Sequence, residues 1–352
     1  MTRQTDEIRG VTLAVLVVLS VLAGTVAFGG SVGADATSVG LSDASVSAGT
    51  DVTVTTNDDD TTGQTNFTAV LDANGNGAWD TGEPKVSTSS YTDGGSGITV
   101  GALNTSGLAE GTYLVHVVEG VNVTDGTDVT GQDSASLVID NTAPTIVKAT
   151  YYEEGSNDFA IELAYSEDLD DANATSGPFE VYVDGTLVET LTSTDLTEDG
   201  GQMELQLEQA YSGDITVVTP DIEDTAGNVI SGATVDVRET DATLEVGSST
   251  NITAFKGSVV AVDFDDEGYT FDITTGGGYF FQGSTGPTSE LYVFTTAGKT
   301  AGTYYIDQDR DQDDGAGDNT ITVRALDLSV SAPSEVQTGS TFTATVTANA
   351  GD

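Results

Sequence analysis

Cysteine is absent from all 352 residues, which excludes disulfide staples, thiol catalysis and thiolate metal sites. Stability outside a cell must then come from apolar cores, bound ions or glycans. Histidine occurs once, at His116, between Val115 and Val117 in a run with strand-like alternation. A lone imidazole builds neither a histidine-based zinc site nor a Ser/His/Asp set, and its neighbours favour a packing role. Basic side chains number 9 against 57 acidic ones, a formal net charge of −48. The lysines are Lys85, Lys148, Lys256 and Lys299, so few surface ion pairs can form. Such a chain repels nucleic acid and anionic membrane surfaces, and neither is expected as a partner. It also repels itself at low salt, and would hold its shape where salt screens it or divalent cations bridge it. Phosphate-cradling glycine motifs are missing too, since Gly276-Gly277-Gly278 has no lysine or helix behind it. No pair of carboxylates is marked out for glycoside hydrolysis. No enzymatic activity is expected.

What is present begins with a leader. Arg3 and Arg9 precede an apolar run, Val11–Phe28, and small residues Ser31, Val32, Gly33 and Ala34 follow before the acidic chain starts near Asp35. Basic start, apolar centre and small-residue exit are the plan of a secretory signal peptide over 1–34. The apolar run could also just span a bilayer as an uncleaved anchor, but the small-residue exit favours cleavage. No second apolar segment follows, so no membrane span is expected in the mature chain.

Helical periodicity is nearly missing from the mature part, while 37% of the chain is hydrophobic and falls into alternating runs. Val52 and Val54 alternate with Thr53 and Thr55; Phe67, Ala69 and Leu71 alternate with Thr68 and Val70. Short strands between Gly, Asp, Asn, Ser and Thr clusters read as β-sandwiches. Two phrases recur: V-S-A-G-T-D-V-T-V-T at 46–55 echoes V-Q-T-G-S-T-F-T-A-T at 336–345, and L-A-E-G-T-Y at 108–113 echoes K-T-A-G-T-Y at 299–304. Gly-Thr-Tyr leading a strand suits a tyrosine that sits at a sandwich corner and bonds back to the backbone. The expected domains are 36–140, 141–239 and 240–326, with 327–352 the start of a further, truncated one.

The best-specified site is D-A-N-G-N-G-A-W-D-T-G-E at 72–83. Calcium takes six to eight oxygens, and a twelve-residue loop supplies them from fixed positions. Asp72, Asn74 and Asn76 fill positions 1, 3 and 5; Ala78 offers its carbonyl at 7, Asp80 serves 9, and Glu83 closes at 12. Gly77 stands at 6, where the sharp turn needs positive φ. The segment resembles the EF-hand loop without its helices, because its flanks read as strands; a rigid clip in a hairpin is expected, with Trp79 packing it onto the domain. The alternative is an acidic turn that merely fits the pattern.

A second candidate for Ca2+ is D-Q-D-R-D-Q-D, where Asp307, Asp309, Asp311 and Asp313 would share one side of an extended segment. Gln312 stands where the loop glycine belongs, so a solvated acidic loop is an equal reading. Asp263, Asp265, Asp266 and Glu267 form a weaker cluster. Five sequons, at Asn66, Asn104, Asn122, Asn173 and Asn251, suit a secreted glycoprotein. Asn66, which leads into the loop, is the one least expected to be occupied.

Residues 145–238 resemble the Ig-like domains of prokaryotic surface proteins, including those of S-layer proteins. The resemblance is carried by I-E-L-A-Y-S-E-D at 161–168, F-E-V-Y-V-D-G at 179–185 and D-I-E-D-T-A-G-N-V-I at 221–230. It implies an all-β fold of tandem Ig-like β-sandwiches. In that family Ser166-Glu167 and the turn Asp224–Asn228 recur; with Asp140 they could share an ion, or the turn residues could simply cap the turn. With the leader and the acidity, the whole resembles haloarchaeal cell-surface (S-layer-type) glycoproteins. That implies a secreted, surface-located structural protein carrying N-linked glycans and associating with itself into a lattice or filament. An adhesin or appendage stalk is the competing expectation, and an accessory region of an extracellular hydrolase a weaker one.

Overall fold

The computed structural model describes residues 36–58, 66–88, 95–119, 122–154, 158–170, 174, 177–248, 250–264, 267–276, 278–308, 310, 319–339 and 341–348. The 1–34 leader lies outside these residues. Strands dominate, as the period-2 patterns require, and among the described residues no helix is long and apolar enough to cross a membrane. The chain divides into two compact units, one of 1–44 and 49–138, the other of 45–48 and 139–352.

In the first unit, Ala36–Leu41, Asp51–Asp58 and Ile98–Asn104 make an antiparallel three-stranded sheet, in that order. A second sheet has the order Ser134–Ile139, Gly111–Glu119, Phe67–Asp72, Lys85–Ser87. Val52 and Val54 are buried and Thr53 and Thr55 only partly so, which is the expected alternation. The sheets approach closely at Gly101, where a Cβ would meet Val86 at 2.3 Å. Strand Phe67–Asp72 departs from the expected pattern, because every residue in it is buried. Its second face, through Val70, meets Trp79, Val118, Val123 and Val129 in a small separate core. An acidic loop and its neighbours thus cover what alternation alone marks as a solvent face.

The second unit begins with a sandwich built from a five-stranded and a four-stranded sheet. The first has the order Leu196–Asp199, Gln202–Leu207, Asp158–Tyr165, Ile146–Glu154, Arg238–Glu239, the last pair parallel. The second runs Thr186–Leu191, Phe179–Val183, Ile215–Val218, Thr234–Asp236. Ile161, Leu163, Tyr165, Phe179, Val181 and Leu205 fill the space between them. A further pair of sheets follows. Ala242–Glu245, Val259–Asp263 and Leu291–Thr295 form three strands; Ile252–Phe255, Asn319–Arg324, Gly302–Asp307, Thr270–Thr275 and Gly278–Ser284 form five. Their core holds Leu244, Phe271, Ile273, Phe294, Tyr304 and Ile321. Leu328–Ser331 pairs with Thr345–Ala348 as a lone hairpin whose Val330 and Val346 stay exposed.

Both Gly-Thr-Tyr phrases behave as expected. Tyr113 and Tyr304 each lie in a strand opened by the glycine, and each hydroxyl donates to the carbonyl four residues back, Ala109 at 2.8 Å and Thr300 at 3.1 Å.

Candidate metal centre

Phe67–Asp72 and Lys85–Ser87 pair antiparallel, with Val70 opposite Lys85, so residues 73–84 form the end of a hairpin. Strands flank the loop on both sides, as its sequence indicates. Asp72 ends the first strand and its carboxylate gathers the turn. One oxygen accepts the Gly75 and Asn76 amides at 2.8 and 3.2 Å, the other the Gly77 amide at 2.8 Å. Gly77 takes φ +82°, the left-handed conformation that its position demands. Asn74 and Asn76 each accept the amide two residues on, at 3.0 and 2.8 Å. Glu83 reaches back across the loop: Oε1 accepts the Ala73 and Asn74 amides, and Oε2 accepts the Asp80 amide at 2.8 Å.

The expected donors therefore converge. Asn74 and Asn76 both point Nδ2 at one oxygen of Asp80, each at 2.7 Å. Half a turn of both carboxamides would exchange those nitrogens for oxygens, giving up the bonds their oxygens accept from the Asn76 and Ala78 amides, and would convert a hydrogen-bond cluster into an all-oxygen one. Such a set is of the kind a hard divalent cation takes.

The loop is held from outside by apolar and backbone contacts. Trp79 is buried, donates from Nε1 to the Glu83 carbonyl at 3.1 Å, and has Lys85 Nζ 3.8 Å from its ring centroid. Lys85 also donates to the Val123 carbonyl at 2.9 Å. Ala78–Trp79 pairs with Thr127–Asp128, and Asp125 accepts the Thr81 amide at 2.8 Å. That bond holds the Asp125 carboxyl below its ordinary pKa. The 122–130 segment is thus a second support for the loop, and the sequence reading missed it. Its signal was the apolar spacing Val121, Val123, Val129 beside a turn.

His116 pairs with Val70 in the adjacent strand and is buried. Burial pushes its pKa down, outweighing the pull of the Asp72 charge, so it is a neutral packing residue at pH 7.

Of the second candidate, one ligand position and Arg310 fall among the described residues. Asp307 is fully buried at a strand end and accepts the Arg310 amide at 2.6 Å. Arg310, within the run, takes φ +59°. Asp309, Asp311 and Asp313 lie outside the described residues. Of the weaker cluster, Asp263 is buried, Glu267 faces Asp168 and Asp199, and Asp265 and Asp266 lie outside the described residues.

Among the described residues, Asp140, Glu167 and Asp224 bring carboxylate oxygens within 4.8 Å of one another. Asp224 also caps its turn, accepting the Ala226 and Asn228 amides at 2.8 Å each, so the capping role and the clustering coexist. Burial and then Asp140 push the Glu167 carboxyl up to about 8. Of the sequons, Asn66, Asn104, Asn122 and Asn251 are exposed, and Asn173 lies outside the described residues.

Fold and site together define a class: tandem β-sandwiches with short acidic loops. Within that class the chain is similar to a cell surface glycoprotein of Haloferax gibbonsii, 32% identical over 361 aligned positions covering 98% of this chain. The chain spans 38% of that relative's length. The expected resemblance to haloarchaeal cell-surface glycoproteins is borne out by this relative. Solved structures give weaker likenesses. One is the N-terminal part of the bacterial S-layer protein SbsC, 16% identical over 52% of this chain and 44% of that one, TM-score 0.23. Another is a putative membrane anchored protein from Corynebacterium diphtheriae, 13% identical over 81% and 90%, TM-score 0.22. No family model matches the chain.

Proposed function

We propose that this chain is part of a secreted structural protein of the cell surface, one that builds an envelope lattice from calcium-stabilised, Ig-like sandwiches. The observation that carries the reading is the end-to-end similarity to the Haloferax gibbonsii cell surface glycoprotein. The charge supports it, since a formal −48 needs screening or bridging wherever copies pack side by side. Calcium would be held by Asp72, Asn74, Asn76, the Ala78 carbonyl, Asp80 and Glu83, and a second ion by Asp140, Glu167 and Asp224. These ions set shape and spacing and perform no chemistry. Glycans on Asn104, Asn122 and Asn251, and less readily on Asn66, would cover exposed surface.

Two measurements test this. Electron microscopy of envelopes carrying the tagged protein should show an ordered two-dimensional array that a chelator dissolves. Isolated fibres in its place would establish an appendage stalk. Calorimetric titration of calcium into the purified chain should lose its tightest event in the Asp72→Ala, Glu83→Ala variant. Identical titrations of the two proteins would remove calcium from the loop while leaving the lattice question to the microscopy.

A further inference from the structure

Strand Asp158–Tyr165 alternates as its sequence requires, with Ile161, Leu163 and Tyr165 facing their own core. Ala160, Glu162 and Ala164 point the other way, where solvent is the ordinary neighbour, yet they are 0%, 0% and 1% exposed. What covers them is the sandwich of 242–324. Tyr152 and Ala160 from one sandwich form an apolar cluster with Ala261 and Leu291 from the other. The facing residues are small enough for backbones to approach, and a Cβ on Gly201 would meet Thr288 at 2.3 Å.

At the centre lies the Glu162 carboxylate. One oxygen accepts the Ser289 hydroxyl at 2.7 Å and faces Lys148 Nζ at 3.1 Å; the other accepts the Glu290 and Leu291 amides at 3.3 Å each. Lys148 donates onward to the Ser289 hydroxyl and the Leu291 carbonyl. Around this core, Gln202 donates to Glu290 at 2.8 Å, Arg238 to Thr295 at 2.6 Å and the Glu153 amide to Thr243 at 3.2 Å. Thr288 donates to the Tyr165 carbonyl.

We propose that Glu162, completed by Lys148, is a latch that fixes the sandwiches of 146–239 and 242–324 as one rigid segment at any ionic strength. The physical basis is burial. A solvent-exposed ion pair is screened within a Debye length, whereas a carboxylate with no solvent contact and four protein donors is not. An unpaired carboxylate there would be strongly disfavoured, so the seam closes only in the one arrangement that satisfies it. One of four lysines in an acidic chain is committed to this position. The inference is independent of whether copies of the chain form a lattice.

Because the chain has no cysteine, two introduced thiols label it cleanly. Spin labels on Thr186→Cys and Ala301→Cys, both exposed positions of the full-length chain, report the angle between the sandwiches. Pulsed dipolar spectroscopy should give a narrow distance distribution that is unchanged from about 0.1 to about 3 M salt. Glu162→Ala should broaden it several-fold. Lys148→Met should also broaden it, and serves alone if the first variant does not fold. A broad distribution in the unmutated chain overturns the latch. So does a narrow one in a folded variant of either residue.

Discussion

The Asp72 carboxylate accepts the Gly77 amide at 2.8 Å, across a turn in which Gly77 sits at φ +82°. This bond joins the first position of the loop to its sixth, so the turn's shape depends on a residue without Cβ. A Cβ at Gly77 would moreover meet Thr130 at 2.5 Å, whereas Gly75, at φ +69°, has open space around it. Gly75→Ala should therefore lose about 1 kcal/mol of stability through backbone conformation alone. Gly77→Ala should lose about 2–3 kcal/mol, because the contact adds to the conformational cost. Denaturant titration of the first unit's transition compares them. Equal losses would mean that the loop does not press on the 122–130 segment.

Trp79 is the only tryptophan in the chain, so its fluorescence reports the loop without interference. Its ring joins Val70, Val118, Val123 and Val129 in the small core. Trp79→Ala should cost about 3–5 kcal/mol by emptying that core. Trp79→Phe keeps apolar bulk but loses the Nε1 bond to Glu83 and the best face for Lys85, and should cost about 1–2 kcal/mol. Calcium should shift the emission of the unmutated chain and leave it unshifted after Asp72→Ala. An emission spectrum insensitive to calcium at saturating concentration would count against the ion.

The parts of this molecule legible in the sequence are those set by local geometry. Alternation in Val52–Thr55 gave burial correctly, and the glycine at 77 marked the turn, because each depends on a few adjacent residues. Phe67–Asp72 was half legible, since one face follows from period 2 while the other is covered by Trp79 of the loop and by Val118, Val123 and Val129 far along the chain. Glu162 was hidden for the same reason. An acid flanked by Ala160 and Ala164 in an alternating strand reads as a solvated face, and only the approach of 288–291 turns it into a buried one. The small size of those flanking residues was the available signal.

The two corner tyrosines make the same bond in different surroundings. Tyr304 is 2% exposed, and among the described residues its hydroxyl is partnered by the Thr300 backbone carbonyl and the Thr300 hydroxyl. Tyr113 is partly solvated and water can replace Ala109. Tyr304→Phe should thus lose about 1–1.5 kcal/mol and Tyr113→Phe under about 0.5 kcal/mol, measured by thermal or denaturant unfolding. A larger loss at Tyr113 would contradict the assignment of the two corners as equivalent bonds that differ only in burial.

Glu290 gives the seam between the two later sandwiches a pH dependence with a definite sign. Burial is the largest influence on its carboxyl, followed by the charge of Asp263, with Glu162 and Glu204 adding to the rise and the Gln202 amide opposing it; the result is a pKa of about 7. A carboxyl raised in the folded state binds its proton more tightly there than in the unfolded chain, whose ordinary value is 4.5. Its contribution is therefore fully present below about pH 4.5 and is lost as pH rises through about 7. Because the group keeps partial contact with solvent, the loss should be roughly 1 kcal/mol rather than the full electrostatic value. The many other carboxylates also titrate, so the informative quantity is the difference between the unmutated chain and Glu290→Gln. That difference should grow between pH 5 and 8, with the glutamine variant the more stable at the upper end. A pH-independent difference would place Glu290 in solvent and its acidic neighbours at a distance.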